Sequence, residues 1–348
     1  MSAQMLSAQG FSKSGKLSIS FRVLLSLYAI IPLCLGLYWL DSAFWHYALR
    51  DGLPSNPKQF LLFQILFGTP HIIASSILLV SNGDYLRLYQ GKLVWMSLAL
   101  AVFFGVGSLF ISYRAFYILV AMWTVFHVLK QQLGVAQGVC RLPQKAFYLL
   151  VTLSVTAGCF IYLAIFLKNG LDAEQTVWVR HIAASLCALL VVSAVFCQRY
   201  VSGLLGKAFL WANVLLVVSS FYLYAQQYAF FAILMPRLVH DATAYIFYIT
   251  HDVNKHAEKP QNALYRLASR CHIHNFLILP LLSFSLAFVL QAYGDAFFAL
   301  ISQSLFGATI PKVITVGLLG YLALMHYYTE SFTWKGDSPY RRFIAFSK

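Results

Sequence analysis

Long apolar runs, cut by short polar or basic stretches, repeat along the whole 348-residue chain. A run of about 20 apolar residues is what a helix needs to cross a bilayer, and the runs here predict spans at 21–40, 58–80, 92–112, 115–138, 146–167, 176–197, 208–225, 228–251, 275–293 and 311–333. The stretch 294–310 is too short and broken for another crossing and reads as either interfacial or re-entrant. The predicted fold is therefore all-α: a polytopic transmembrane bundle of about ten helices. Its expected organisation is a flexible cytoplasmic arm (1–20), a single transmembrane domain (21–335) and a basic cytoplasmic tail (336–348).

Composition agrees. Hydrophobic residues make up 60% of the chain and charged residues 10%, against about 25% charged in soluble domains. The net charge of +14 first suggests a nucleic-acid partner, but the basic residues alternate from loop to loop. One set of loops, with the arm and tail, holds Lys13, Lys16, Arg22, Arg87, Lys92, Arg141, Lys145, Arg199, Lys207, Lys255, Lys259, Arg266, Arg270, Lys335, Arg341, Arg342 and Lys348. The alternate loops hold Arg50, Lys58, Arg114, Lys168 and Lys312. By the positive-inside rule this bias places both termini in the cytoplasm, with anionic bilayer lipid rather than nucleic acid as the partner. The first 20 residues carry no cleavable signal pattern, so the first span is expected to serve as an uncleaved anchor. Cys34, Cys140, Cys159, Cys187, Cys197 and Cys271 include no CxxC pair, and they read as small core residues.

Ionisable side chains inside spans are costly and point to function. They concentrate in Gly68-Thr69-Pro70-His71, in Phe126-His127 through Lys130-Gln131-Gln132, in Pro236-Arg237 through His240-Asp241 with His251-Asp252, and in His326 through Glu330. These four spans all run inward. His71, His127, His240 and His326 lie about 12 to 15 residues from their outer ends, within about one helical turn of a common level. Neutral imidazole is the commonest metal ligand, and helical bundles build metal sites from inward-facing side chains. Glu330 shares a helical face with His326 and is a candidate ligand or catalytic base. His251 shares a face with His240 but lies about 16 Å along the axis, so the two cannot bind one ion. Depth favours His240 as the ligand and places His251, a further candidate metal ligand, at the cytoplasmic mouth with Lys130 and Gln131. Asp241 and Asp252 are expected to orient the imidazoles of neighbours rather than those of the histidines they follow. Asp241 and Lys130 join Glu330 as candidate catalytic residues. Pro70 and Pro236 are expected to kink helices beside a cavity.

The chain has no Gly-rich phosphate loop, GxSxG or HExxH, and it lacks the HxxxH and HxxHH boxes of membrane desaturases. Imidazole alone suits iron, zinc or copper, and facing histidines would also suit haem. Gly68-Thr69-Pro70-His71, Phe126-His127, the His240 to His251 region and His326 resemble, in order and approximate interval over residues 60–335, the histidine segments of the bacterial β-carotene 15,15′-dioxygenase family. The chain departs from that pattern at Ile72, at Ser75 and in the wide His240 to His251 interval. The resemblance implies an iron-dependent, O₂-using enzyme of the bacterial cytoplasmic membrane that acts on a carotenoid, another isoprenoid or a lipid chain. Two other classes use the same residue types. One is a transporter or channel with a proton or metal path, although the outer halves of the spans hold little besides Arg180 and His181. The other is a zinc-dependent intramembrane lipid-modifying hydrolase with Glu330 as base.

Overall fold

A computed structural model of the protein describes residues 16–54 and 64–347. Most of the expected N-terminal arm, and the expected start of the second span at 58–63, lie outside the described residues.

The chain is all-helical apart from one short strand pair. In order, α1 spans Phe21–Phe44, α2 Thr69–Val80, α3 Gly83–Gly105, α4 Tyr113–Cys140, α5 Gln144–Phe166, α6 Ala173–Cys197, α7 Leu204–Ala225, α8 Ala229–Lys255, α9 Ala263–Arg270, α10 Asn275–Val289, α11 Asp295–Phe306 and α12 Leu319–Thr333. Among the described residues, eight helices are long and apolar enough to cross a membrane: Phe21–Phe44, Gly83–Gly105, Arg114–Cys140, Gln144–Phe166, Ala173–Tyr200, Leu204–Ala225, Ala229–Lys255 and Asn275–Phe306. The protein is a multi-pass integral membrane protein.

Three details differ from the sequence expectation. The second and tenth expected spans fall on less regular segments, the shorter apolar helix Gln64–Val80 and a π turn at Val313–Leu318 leading into α12. Both carry site candidates in place of apolar residues. The third helix begins at Gly83, well before residue 92, because Arg87 and Lys92 belong to the helix rather than to a loop; the Lys92 ammonium rests 4.6 Å from the Phe332 ring. The stretch after residue 293 is no separate interfacial piece. α10 continues through a π turn at Leu290–Gly294 into α11, and Asp295 accepts the backbone N–H groups of Ile314 and Thr315 at 2.8 and 3.1 Å, which satisfies amides left open by the next turn.

The helices pack as two compact units. Among the described residues, the first comprises 16–20, 64–116 and 244–347, the second 21–54 and 117–243. In the first, α2 packs on α10 and α12, and α3 on α12. Strand β1 (Ser18–Ser20) pairs in parallel with β2 (Ala345–Ser347), so the residue preceding α1 and the tail after α12 lie on one side of the bilayer. An even number of crossings follows, as the charge alternation requires. Asn254, near the end of α8, brackets this pair: its amide meets the N–H and C=O of Leu17 at 2.7 and 2.8 Å and the C=O of Phe343 at 2.7 Å. In the second unit, α5 packs against α6, and α7 against both. Gly158 brings α5 close to α4, because a Cβ there would stand 2.7 Å from Leu129 Cδ1 and 2.9 Å from Val125 Cγ1.

Candidate functional site

In the first unit, Phe67-Gly68 closes a π turn at Gln64–Gly68, and Thr69 then opens α2 with Pro70 in its first turn. Pro70 therefore starts a helix instead of kinking one, because its missing N–H costs nothing at that position. The turn sets His71, fully buried, with Nδ1 3.3 Å from the Phe67 carbonyl. A carbonyl only accepts, so Nδ1 bears the hydrogen and Nε2 is the basic nitrogen, the tautomer that suits a metal ligand. The His71 ring meets the His326 ring of α12 edge to face at 4.9 Å. One turn along α12, Glu330 Oε2 lies 3.7 Å from His326 Nε2. Glu330 Oε1 accepts from the Trp334 indole N–H at 2.8 Å and from the Tyr248 hydroxyl. Two donors on one oxygen fix the carboxylate and keep its other oxygen turned to His326. His71, His326 and Glu330 are the buried candidate metal ligands of this unit.

In the second unit, His127 on α4 and His240 on α8 form a similar pair, their rings 4.9 Å apart and nearly perpendicular. Both are buried candidate ligands. On α8, Arg237 Nε lies 3.4 Å from Asp241 Oδ2, and Asp241 Oδ1 stands 4.0 Å from His240 Nε2. Pro236 sits inside α8 as expected. It lines a small apolar cavity of about 20 Å³ with Val125, Val128, Leu129, Ile161 and Val217.

Lys130 and His251 fall elsewhere. Lys130 is exposed, with its ammonium 4.8 Å from the Phe126 ring. His251 is fully buried in the first unit and both its nitrogens are engaged. Nε2 meets the Tyr85 hydroxyl at 2.8 Å and Nδ1 meets Asp252 Oδ1 at 3.1 Å. The expectation that Asp252 serves a neighbour's imidazole rather than that of His251 is thus corrected: a rotated carboxylate can reach back to the preceding ring. Asp252 also accepts from the Tyr265 hydroxyl, and the His256 imidazole stacks on the Tyr265 ring at 3.8 Å. Sequence reasoning missed Tyr85, Tyr248, Tyr265 and Trp334. Only Trp334 left a signal, at helical spacing from Glu330; the tyrosines are brought in from distant positions.

Comparison of the chain with protein-family models, with curated proteins and with solved structures finds no match. The geometry therefore carries the functional reading: a membrane-spanning helical protein with buried histidine and carboxylate clusters of a kind that can hold a metal.

Proposed function

We propose that this protein is a membrane-embedded oxygenase of the bacterial cytoplasmic membrane, with non-haem iron held by His71, His127, His240 and His326, that acts on a carotenoid, another isoprenoid or a lipid chain. The observation that carries the reading is the repetition of one motif: two buried imidazole pairs, His71–His326 and His127–His240, each edge to face at 4.9 Å. Neutral imidazole is the commonest metal ligand, and buried histidines brought together in pairs are the donor set that a metal takes. The sequence resemblance supports iron over zinc or copper.

The residues present fit such an ion. His71 is held in the tautomer whose Nε2 can ligate, and Glu330 is clamped by Tyr248 and Trp334 with Oε2 toward His326, where it orients that ring and accepts a proton from it. Arg237 holds Asp241 beside His240. Bound ferrous iron would supply O₂ activation, which no side chain here can perform alone.

The test is metal content by elemental mass spectrometry on protein purified in detergent without chelators, wild type against a His127→Ala, His240→Ala double variant of equal fold and yield. Stoichiometric iron in the wild type and its loss in the variant are expected. Stoichiometric zinc instead would point to a hydrolase with Glu330 as base, and protein without metal would overturn the metalloenzyme reading in favour of a transport path.

A further inference from the structure

The first unit contains a line of oxidisable side chains that the proposed chemistry does not use. It starts at Glu330, whose Oε1 accepts from Trp334 at 2.8 Å. Trp334 stacks on Tyr248 at 5.6 Å and meets Tyr340 at 5.5 Å. Tyr340 stacks on Tyr85 at 4.1 Å with an interplanar angle of 24°. At Tyr85 the character changes: its hydroxyl is 2.8 Å from His251 Nε2, and His251 Nδ1 is 3.1 Å from Asp252.

From this arrangement we infer that Trp334, Tyr340 and Tyr85 form a relay that drains oxidising equivalents from the Glu330 end, with Tyr85 as its terminus and His251 as the proton acceptor. Trp and Tyr are the side chains most readily oxidised by one electron, and each step of the line is in ring contact. A tyrosine holds such an equivalent only if its phenolic proton can leave, because the oxidised phenol is a strong acid. Tyr85 meets that condition. His251 Nδ1 bears the hydrogen shared with Asp252, since a carboxylate accepts; Nε2 is therefore the basic nitrogen facing the Tyr85 hydroxyl. In the step, one electron leaves Tyr85 through Tyr340 and Trp334 to a one-electron oxidant, the oxidised iron centre of the proposed function or photogenerated ruthenium(III), and the phenolic proton moves to His251 Nε2. The product is a neutral tyrosyl radical beside an imidazolium whose charge faces Asp252. Re-reduction by a soluble one-electron reductant returns the electron to Tyr85, and the proton comes back from His251 Nε2.

Lys255 bears on the same ring. Its ammonium lies 3.6 Å from the Tyr85 centroid and is paired with Asp84 at 3.0 Å. A cation there opposes positive charge on the ring, so electron loss without proton transfer is disfavoured while the neutral radical is not.

The purpose of the relay, protection of an oxidising centre that fires without substrate, rests on the proposed function. Its existence does not, and two experiments separate them. In one, metal-free protein in detergent is photo-oxidised with ruthenium tris-bipyridine and persulfate as electron acceptor, then frozen for electron paramagnetic resonance. In the other, iron-loaded protein is mixed with hydrogen peroxide and freeze-quenched. A tyrosyl signal in both, lost in Tyr85→Phe, is expected. Trp334→Phe, which leaves the Tyr85–His251 pair intact, is expected to lose the signal in the peroxide experiment. A Tyr85-dependent signal on photo-oxidation alone supports the relay and counts against the oxidising centre. The absence of a radical in both experiments, or a signal unchanged by Tyr85→Phe, would overturn the relay.

Discussion

His240-Asp241 and His251-Asp252 are the same dipeptide on one helix, and the four side chains are buried alike, at 0%, 3%, 0% and 1% exposure. Their surroundings differ. His251 is closed on both nitrogens, by the Tyr85 hydroxyl and by its own aspartate, and Tyr265 takes the other carboxylate oxygen. His240 faces His127 across 4.9 Å, and Asp241 lies 4.0 Å from it while Arg237 holds the carboxylate's other side. A buried imidazole whose two nitrogens are met by protein groups is a strut. One set edge to face against a second buried imidazole is a ligand candidate. Depth along the helix already favours His240 as the ligand, but the sequence does not show what closes His251, because Tyr85 and Tyr265 arrive from distant positions.

The comparison breaks most sharply on metal content. His240→Ala is expected to abolish stoichiometric iron, whereas His251→Gln, whose amide can still accept from Tyr85, is expected to retain it; elemental mass spectrometry on matched preparations checks both. Loss of iron in His251→Gln with the fold intact would reverse the assignment of strut and ligand. A smaller effect is expected at Glu330, which touches His326 from one side while two donors hold it from the other. Glu330→Gln keeps the shape but removes the charge, and loss of such an outer partner typically weakens metal binding about 10- to 100-fold, measurable by competition with a chelator of known affinity.

The helical class and six of the ten spans were legible to within a few residues, because an apolar run of bilayer length has few alternatives. The irregular ends were not. The turn at Gln64–Gly68, the continuation through Leu290–Gly294 and the early start of α3 all depend on polar groups finding partners elsewhere in the fold, as Asp295 does with Ile314 and Thr315. At the site, the histidines were legible by depth and Glu330 by spacing. The donors that clamp Glu330, and the partners that close His251, were beyond reach because Tyr248 and Tyr85 lie 82 and 166 residues from what they bind.

A further effect, on stability rather than on metal, separates the strut from the ligand. Tyr85→Phe removes the donor to His251 and leaves a buried acceptor unmet, at a cost of about 1–3 kcal/mol. Thermal unfolding in detergent should register the loss, and iron content should not change. An equal drop in iron would mean that the two ends of α8 do not act independently.

The smallest expected effect is a pH dependence at the end of the strut. His256 follows α8, is buried against the Tyr265 ring and accepts the Gln261 backbone N–H at 3.1 Å. Burial is the main cause that lowers its pKa from 6.5 to about 4, with nearby Asp252 opposing and Lys255 adding to the shift. The folded protein thus keeps His256 neutral where an unfolded chain would protonate it. Because the folded value is the lower one, the stabilising contribution is complete above about pH 6.5 and is lost progressively as the pH falls toward 4. Unfolding temperatures measured across that window should decline more steeply in the wild type than in His256→Gln, which keeps an acceptor for Gln261 but does not titrate there. Parallel curves would show that His256 is protonated in the folded protein, and would detach the Tyr265 stack from the neutral network that holds His251 away from a metal.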